Sequence, residues 1–249
     1  MPRRERPQQT QRSEHWLRVA VNERQEMLNR HISAKFEWDP SEQVIWLSPV
    51  ASDEYAEYSD QNFLDRLGVR QLKVPLHDFW PPGGPRWDGL AKTLSGKLTL
   101  VEAKAHIDEA VDYCSRASPE PLKVIQRALR DTKRAFAASK DAPWESPFYE
   151  HANRLAHLYF MRQLNGLDAY LLFLYFADAS DAPNPCSVEQ WEGAIRLKEK
   201  CLGLGNRHPF RRYVGALLLS VPELLAGGRI QTIPGSRERY GDHVSGTED

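Results

Sequence analysis

Two ionisable residues stand at the end of a predicted buried strand. Residues 98–101 (LTLV) form a short β-rich run, followed by Glu102 and, two positions later, by Lys104. Side chains alternate between the two faces of a strand, so the carboxylate and the ammonium project from the same face at its C-terminal end. Burying either group without a partner costs several kcal/mol. We therefore expect these two residues to take part in chemistry.

Asp88 can join them if the chain forms a hairpin. The β-like runs 86–93 and 97–105 are joined by the segment 94–96 (LSG), where the glycine suits a turn. The antiparallel return brings Asp88 beside Glu102, provided that the hairpin splays or bulges. Two carboxylates and a lysine then converge.

This combination suits a metal site. Two carboxylates at close range repel each other, and one would become protonated unless a cation lay between them. A hard divalent ion such as Mg²⁺ takes oxygen ligands, retains several waters and is usually held by one or two carboxylates. A lysine beside that ion can orient or deprotonate a bound water, or offset charge that builds on a pentacoordinate phosphorus. These are the requirements of phosphodiester hydrolysis.

The pattern also resembles the signature of a known family. Asp88, thirteen residues and then Glu102-Ala103-Lys104 is similar to the Asp and (Asp/Glu)-x-Lys motif of the PD-(D/E)xK nuclease superfamily, also called restriction-endonuclease-like. Trp87 stands where that motif has proline. The resemblance covers residues 13–178 as an architecture and implies an α/β (α+β) fold with the core order α-β-β-β-α-β. A mixed central sheet would be flanked by helices, with extra helical and strand elements at the C-terminal end.

The resemblance further implies a metal-dependent nuclease, with DNA a better-supported substrate than RNA. Mg²⁺ or Mn²⁺ would be bound by Asp88, Glu102 and the backbone carbonyl of Ala103, and Lys104 would act on the attacking water. Two other functions stay open: a noncatalytic nucleic-acid-binding or assembly module on the same fold, and a metal-dependent hydrolase of a small phosphorylated substrate. A purely structural alternative is a surface hairpin with an exposed ion pair, which contributes little.

Predicted helices carry further candidates. An amphipathic helix is predicted over 13–32, and Glu23 falls at the margin of its apolar face. It could supply another metal ligand, as a first-helix glutamate does in many members of the family, or it could be a solvated glutamate. A helix predicted over 119–139 bears a cationic stripe that could bind phosphates or could simply face solvent. The stripe consists of Lys123, Arg127, Arg130 and Arg134.

A helix is also predicted over 147–165, with Ser146 as its N-cap and Gly166 as its stop. One of its polar residues could contact phosphate or water; the candidates are Asn153, His157, Arg162 and Gln163. His106 and the cationic segment 206–213 are secondary candidates for substrate contact.

The remaining elements follow from periodicity and turn residues. Residues 43–50 and 168–178 are predicted strands, the second buried on both faces because it is continuously apolar. Residues 59–68, 107–116 and 187–202 are predicted helices, the last with a capping box of Ser187 and Gln190. Residues 79–85 are predicted to be irregular, and 213–221 is ambiguous between strand and helix.

Composition and charge limit which partners and which cellular environment can be expected. The chain of 249 residues has a formal charge of −1, so a nucleic-acid partner would need a local basic patch. We predict one domain over 13–234 between disordered ends, 1–12 and 235–249. The three cysteines are odd in number and widely spaced, which indicates a reducing, cytoplasmic environment. The longest apolar run, 169–177, is too short to cross a bilayer as a helix, so no membrane partner is expected. A protein partner or a homodimer stays open.

Overall fold

A mixed sheet flanked by helices on both faces forms the body of the protein. A computed structural model describes residues 3–4, 12–112, 114–227 and 231–232. The strands are β1 (Arg3–Arg4), β2 (Val44–Ser48), β3 (Glu57–Tyr58), β4 (Gly89–Thr93), β5 (Leu98–Lys104), β6 (Ala169–Ala177), β7 (Val214–Ser220) and β8 (Gln231–Thr232). The α-helices are α1 (Arg12–Asn22), α2 (Gln25–Lys35), α3 (Asp60–Leu67), α4 (Leu76–Phe79), α5 (Pro119–Ala135), α6 (Tyr149–Tyr159), α7 (Val188–Cys201) and α8 (Val221–Ala226).

The main sheet has the strand order β2-β4-β5-β6-β7-β8, while β1 pairs separately with β3. Strands β2, β4 and β5 are antiparallel neighbours. Strand β6 runs parallel to β5, β7 runs parallel to β6, and β8 returns antiparallel to β7. Strands β5 and β6 are therefore central, and every residue of β6 is buried. This confirms the prediction of a strand covered on both faces over 168–178.

Alternate residues of the central strands pack into two separate cores. Leu100 and Phe173 belong to a core that also contains buried residues of α3, α4, α5, α6 and α7. Val101 and Leu172 belong to a core with α1, α2 and α8 on the other side of the sheet. Glu102 and Lys104 have the parity of Leu100, so they project toward the side covered by α6 and α7.

The hairpin between β4 and β5 sets the position of Asp88. Its turn contains Gly96 with a φ of 94°, a conformation that glycine adopts without strain. Gly89 pairs with Val101, and the register continues without a bulge down to Lys92 and Leu98. Asp88, one residue before β4, therefore comes level with Glu102, and the hairpin needs no bulge to bring it there.

Two predicted helices differ from the structure. The single helix expected over 13–32 is divided into α1 and α2, because the side chain of Asn22 donates to the carbonyl oxygens of Arg18 and Pro49 and closes the first helix. The helix expected over 107–116 is only a 3₁₀ turn at Ile107–Ala110. Beyond that turn the backbone N–H of Asp112 donates to the Pro147 carbonyl at 2.9 Å, so a neighbouring segment takes the bond that a helix would have used.

Smaller corrections concern element ends. Helix α6 starts at Tyr149 rather than Pro147, its N-cap position is Phe148 rather than Ser146, and it continues as a π-helical turn over Phe160–Leu164. The ambiguous segment 213–221 is mainly strand β7, and α8 follows it. The predictions of a strand at β2, of helices at α3, α5 and α7, and of a stop at Gly166 are confirmed.

The predicted disordered ends, 1–12 and 235–249, lie outside the described residues except for Arg3–Arg4 and Arg12. Within the described part of the chain, every helix is too short or too polar to cross a membrane.

Candidate active site

A cleft of about 790 Å³ opens at the C-terminal end of β5. The structure brings all four positions of the sequence motif to it, since Asp88, Glu102, Ala103 and Lys104 line its wall. The residues come from two adjacent strands of one hairpin. Their arrangement is therefore a direct result of the β4–β5 register.

Asp88 is held by the main chain of the neighbouring strand. Its Oδ2 atom accepts a hydrogen bond from the backbone N–H of Ala103 at 2.8 Å. This bond fixes the Asp88 carboxylate beside Glu102 and close to the peptide group that the resemblance assigns to metal binding.

Glu102 lies in a closed network of ion pairs. Its Oε1 atom accepts from the Lys104 ammonium at 2.5 Å, and its Oε2 atom accepts from Nε of Arg154 at 2.6 Å. Glu150 completes the ring, because its two oxygens accept from Lys104 at 2.7 Å and from Arg154 at 3.1 Å. Two carboxylates and two cations thus share four contacts, which compensates much of the cost of burying them.

Burial and neighbouring charge shift the pKa values of the network. Burial raises the pKa of Glu102 to about 7, and Asp88 and Glu150 add to that rise against the opposing effect of Arg154 and Lys104. Burial lowers the pKa of Lys104, but the surrounding carboxylates, Glu102 first, outweigh that effect and raise it overall. Lys104 is therefore an ammonium at neutral pH, a hydrogen-bond donor and a positive charge rather than a base.

The cleft as a whole is acidic. Seven carboxylates and four cationic side chains line it, a formal excess of three negative charges. One of these carboxylates, Asp112, accepts a hydrogen bond from the backbone N–H of Glu150. The pKa of Asp112 is raised to about 6, chiefly by burial, with Glu150 adding to the rise and Lys104 and Arg154 opposing it. A phosphodiester would be repelled from such a cleft unless a cation accompanied it.

Glu23 does not reach the cleft. It lies exposed in the turn between α1 and α2, because the helix on which its position was predicted ends at Asn22. Ser13 and Glu14, at the start of α1, line the cleft instead. Glu14 is thus the glutamate of α1 that lies at the cleft, and the predicted Glu23 does not.

The cationic stripe on α5 faces solvent and lies outside the cleft. Its members are Lys123, Arg127, Arg130 and Arg134, all exposed. Lys123 pairs with Glu120 at 2.7 Å, and Arg134 pairs with Asp131 at 3.4 Å. The guanidinium of Arg127 donates to the Asp78 carbonyl at 3.0 Å. Exposed side chains fit both predicted interpretations, a phosphate-binding surface and a solvated face, and the stripe lies outside the cleft.

Of the polar residues predicted on α6 and its continuation, Asn153 alone lines the cleft. His157 is buried among aromatic rings, and burial lowers its pKa to about 3. Arg162 pairs with Asp168 at 2.8 Å, and Gln163 is exposed.

His106 is buried but does not line the cleft. In the segment 206–213, Phe210 stacks on Phe136 in the core, so that segment is partly structural.

Sequence reasoning missed Glu150 and Arg154. They lie four residues apart on α6, which puts them on one helix face. Opposite charges at this spacing are common on solvated helices, and the sequence has no separate signal that this pair is turned toward Glu102.

The chain matches no protein-family model, no curated protein and no solved structure. The interpretation of the cleft therefore depends on its own geometry and chemistry.

The donor atoms at the motif suit a divalent ion. Among the residues that the structure describes, no three His, Cys, Asp or Glu side chains are arranged to hold a metal ion. The ligand set implied by the resemblance needs only two carboxylates, Asp88 and Glu102, with the oxygen of Ala103, and all three are hard donors. Each Glu102 oxygen is bonded to one cation, and its second lone pair remains for a metal ion. The negative excess of the cleft favours a cation there.

Proposed function

We propose that this protein is a metal-dependent nuclease of the PD-(D/E)xK type that hydrolyses phosphodiester bonds, most readily in DNA. The observation that carries the proposal is the convergence of Asp88, Glu102, Ala103 and Lys104 in one open cleft. The topology lends further support. A helical start, three antiparallel strands (β2, β4, β5), helices and then the parallel strand β6 follow the core order that the resemblance implies.

Each residue has a distinct role in this proposal. Mg²⁺ or Mn²⁺ held by Asp88, Glu102 and the Ala103 carbonyl would supply a Lewis acid and a water of lowered pKa. Lys104, kept charged by its carboxylate neighbours, donates to the attacking water or to a phosphate oxygen. Arg154 holds Glu102 in place through its Nε contact.

Two alternatives make different predictions. A noncatalytic module would bind nucleic acid without cleaving it, and a hydrolase of small substrates would act on nucleotides but not on polymers. The acidic cleft favours a catalytic, metal-dependent role, because an acidic surface binds nucleic acid poorly by itself. The three cysteines are free, which suits a reducing cytoplasmic environment.

Nicking of plasmid DNA with Mg²⁺ or Mn²⁺, measured beside hydrolysis of nucleotides, tests the proposal. Lys104→Ala should reduce cleavage by about a hundredfold or more, because a positioned donor is lost, while calorimetric metal binding stays nearly unchanged. Asp88→Asn should weaken metal binding by about tenfold or more. Its amide oxygen can still accept the bond from Ala103, so the hairpin should stay folded.

Lys97→Ala provides the matched control. Lys97 precedes the same strand and pairs with Glu42 at 2.5 Å, but it lies outside the cleft. The control should cleave at the wild-type rate. Wild-type cleavage by Lys104→Ala would show that the assigned chemistry is wrong, and binding without cleavage by the wild type would favour the noncatalytic module.

A further inference from the structure

Arg86 is a cation of the cleft wall that pairs with no carboxylate. Of the four cationic side chains that line the cleft, Lys104 and Arg154 belong to the ring around Glu102. Within the described part of the chain, the other two, Arg86 and Arg116, make no ion pair and no side-chain hydrogen bond. Arg86 thus lies in a cleft with seven carboxylates and is paired with none of them. Its five N–H donors are therefore available to an anion from outside the protein.

The backbone around Arg86 is held on both sides. The Arg86 carbonyl oxygen accepts a hydrogen bond from the Arg154 guanidinium at 3.2 Å, and the backbone N–H of Trp87 donates to the Tyr58 carbonyl at 3.0 Å. Trp87 is fully buried, whereas its two neighbours, Arg86 and Asp88, both line the cleft. The Arg86 side chain therefore starts from a fixed position next to a residue of the proposed metal site.

The Arg86 guanidinium can be reached from the cleft. The residue is half-buried, but its side-chain nitrogens are not among the covered polar atoms that lack a partner. Because these nitrogens also form no hydrogen bond within the described residues, they are open to solvent. Arg116 is more exposed, so salt screens its attraction for a bound anion more strongly. Arg86 is thus the better placed of the two unpaired arginines.

The chemistry of a guanidinium narrows the ligand. It only donates hydrogen bonds, and its planar fork matches two oxygens of one phosphate group. In the proposed nuclease the cleaved phosphodiester lies against the metal ion and Lys104, which supply the positive charge at that position. The neighbouring phosphate of the same strand needs a cation of its own, because the negative excess of the cleft repels it.

We propose that Arg86 binds the phosphate next to the cleaved phosphodiester and so holds the nucleic-acid strand in the acidic cleft. This inference rests on the proposed nuclease function and adds a residue that binds the substrate backbone. The contact carries no base-sequence information. It exists both before and during bond cleavage, so its loss should raise KM and leave kcat nearly unchanged.

The test is a cycle between the residue and the substrate. Wild-type protein and Arg86→Met are compared with Mg²⁺ on a short DNA, or on RNA if only RNA is cleaved, after the cleaved bond has been mapped from the wild-type products. A neutral methylphosphonate then replaces each flanking phosphate, one at a time. Arg86→Met should raise KM by about tenfold, the value of one hydrogen bond to a charged group. A methylphosphonate at the contacted phosphate should raise wild-type KM equally and cause no further rise in the variant.

Three further variants serve as controls. Arg86→Lys retains the charge without the planar fork and should recover part of the loss in KM. Arg70→Met removes an equal charge from an exposed position outside the cleft and should keep the wild-type KM. Arg86→Met should unfold at the wild-type temperature, since within the described residues the side chain makes no hydrogen bond. Arg86→Gln is the second variant if methionine does not pack.

The outcomes separate this inference from the proposed function. If the two losses multiply at every flanking phosphate, or if Arg86→Met keeps the wild-type KM, the Arg86 inference is overturned while the nuclease function stands. A fall in kcat with KM unchanged would also overturn it, because Arg86 would then act on the cleaved phosphate. If wild-type protein cleaves no nucleic acid with Mg²⁺ or Mn²⁺, the proposed function fails and takes this inference with it.

Discussion

At the scale of single residues, Arg154 holds the centre of the site together. Its guanidinium is buried, bonds Glu102 and Glu150, and lies 5.0 Å from the centre of the Trp87 ring. Arg154→Met should lower the free energy of unfolding by about 3 kcal/mol, because Glu102 then keeps a buried charge with Lys104 as its remaining partner. Adding Glu102→Gln should recover at least about 1 kcal/mol of that loss.

Urea unfolding of the two single variants and the double variant measures this coupling. Arg196→Met is the matched control, since Arg196 also pairs with a glutamate four residues away but is exposed, and it should cost about 0.5 kcal/mol or less. Additive losses for Arg154 and Glu102 would mean that the two residues do not depend on each other.

The same residues show what a sequence can reveal about a site. Asp88, Glu102 and Lys104 could be predicted because strand alternation and a short turn determine which side chains meet. Arg154 could not, because its role depends on how α6 is rotated against the sheet. That rotation is set by packing of the whole helix in the core, which has no signature at the position itself.

At the scale of elements, the sequence predicts a helix or strand well where a strong local pattern marks it. It predicts less well where contacts with distant parts of the chain decide the structure. Strand β6 could be recognised by its unbroken apolar run, and α7 by its capping box. The segment predicted as a helix over 107–116 instead starts with a 3₁₀ turn at Ile107–Ala110, and the backbone N–H of Asp112 then bonds to the Pro147 carbonyl. Such a bond joins distant parts of the chain and leaves no local trace.

The capping box of α7 can be tested directly. Ser187 accepts from the backbone N–H of Gln190 at 3.3 Å, and the Gln190 side chain accepts from the Ser187 backbone at 2.8 Å. Ser187→Ala should therefore lower the free energy of unfolding by about 1 kcal/mol in urea titrations. Ser118→Ala, at the α5 N-cap where the serine makes no side-chain cap bond, should change it by only about 0.3 kcal/mol. Equal effects would contradict the importance of the cap bond.

At the scale of the whole molecule, buried charge is concentrated on the side of the sheet covered by α6 and α7. Besides the ring around Glu102, this layer contains Lys198, which is buried and donates to the Tyr175 hydroxyl at 2.6 Å. The pKa of Lys198 is lowered to about 7, chiefly by burial, with the charge of Lys104 adding to the fall and the carboxylates of Glu199, Glu102 and Glu150 opposing it. The stability of the whole fold should consequently depend on pH above neutrality.

The sign of that dependence follows from proton binding. An unfolded lysine keeps its ordinary pKa of 10.5, so between about pH 7 and that value the unfolded chain binds more protons than the native one. Stability should rise with pH over this range. Glu102 and Asp112, whose pKa values are raised to about 7 and about 6, act mainly below this pH range. Their contribution to stability is present at low pH and is lost as the pH rises through those values. Lys35, Lys97 and Tyr175 also have shifted pKa values that affect stability at alkaline pH, so the contribution of Lys198 is the difference between the wild-type curve and that of a variant without this lysine.

Lys198→Met should flatten this alkaline rise, because it removes the amine whose pKa differs between the folded and the unfolded chain. Urea unfolding at several pH values from about 7 to about 10 measures the slope. Lys200→Met, exposed on the same helix, should give a curve parallel to the wild type. If Lys198→Met also runs parallel to the wild type, Lys198 is charged in the native protein at these pH values, and the ring around Glu102 must then carry one more buried cation beside it.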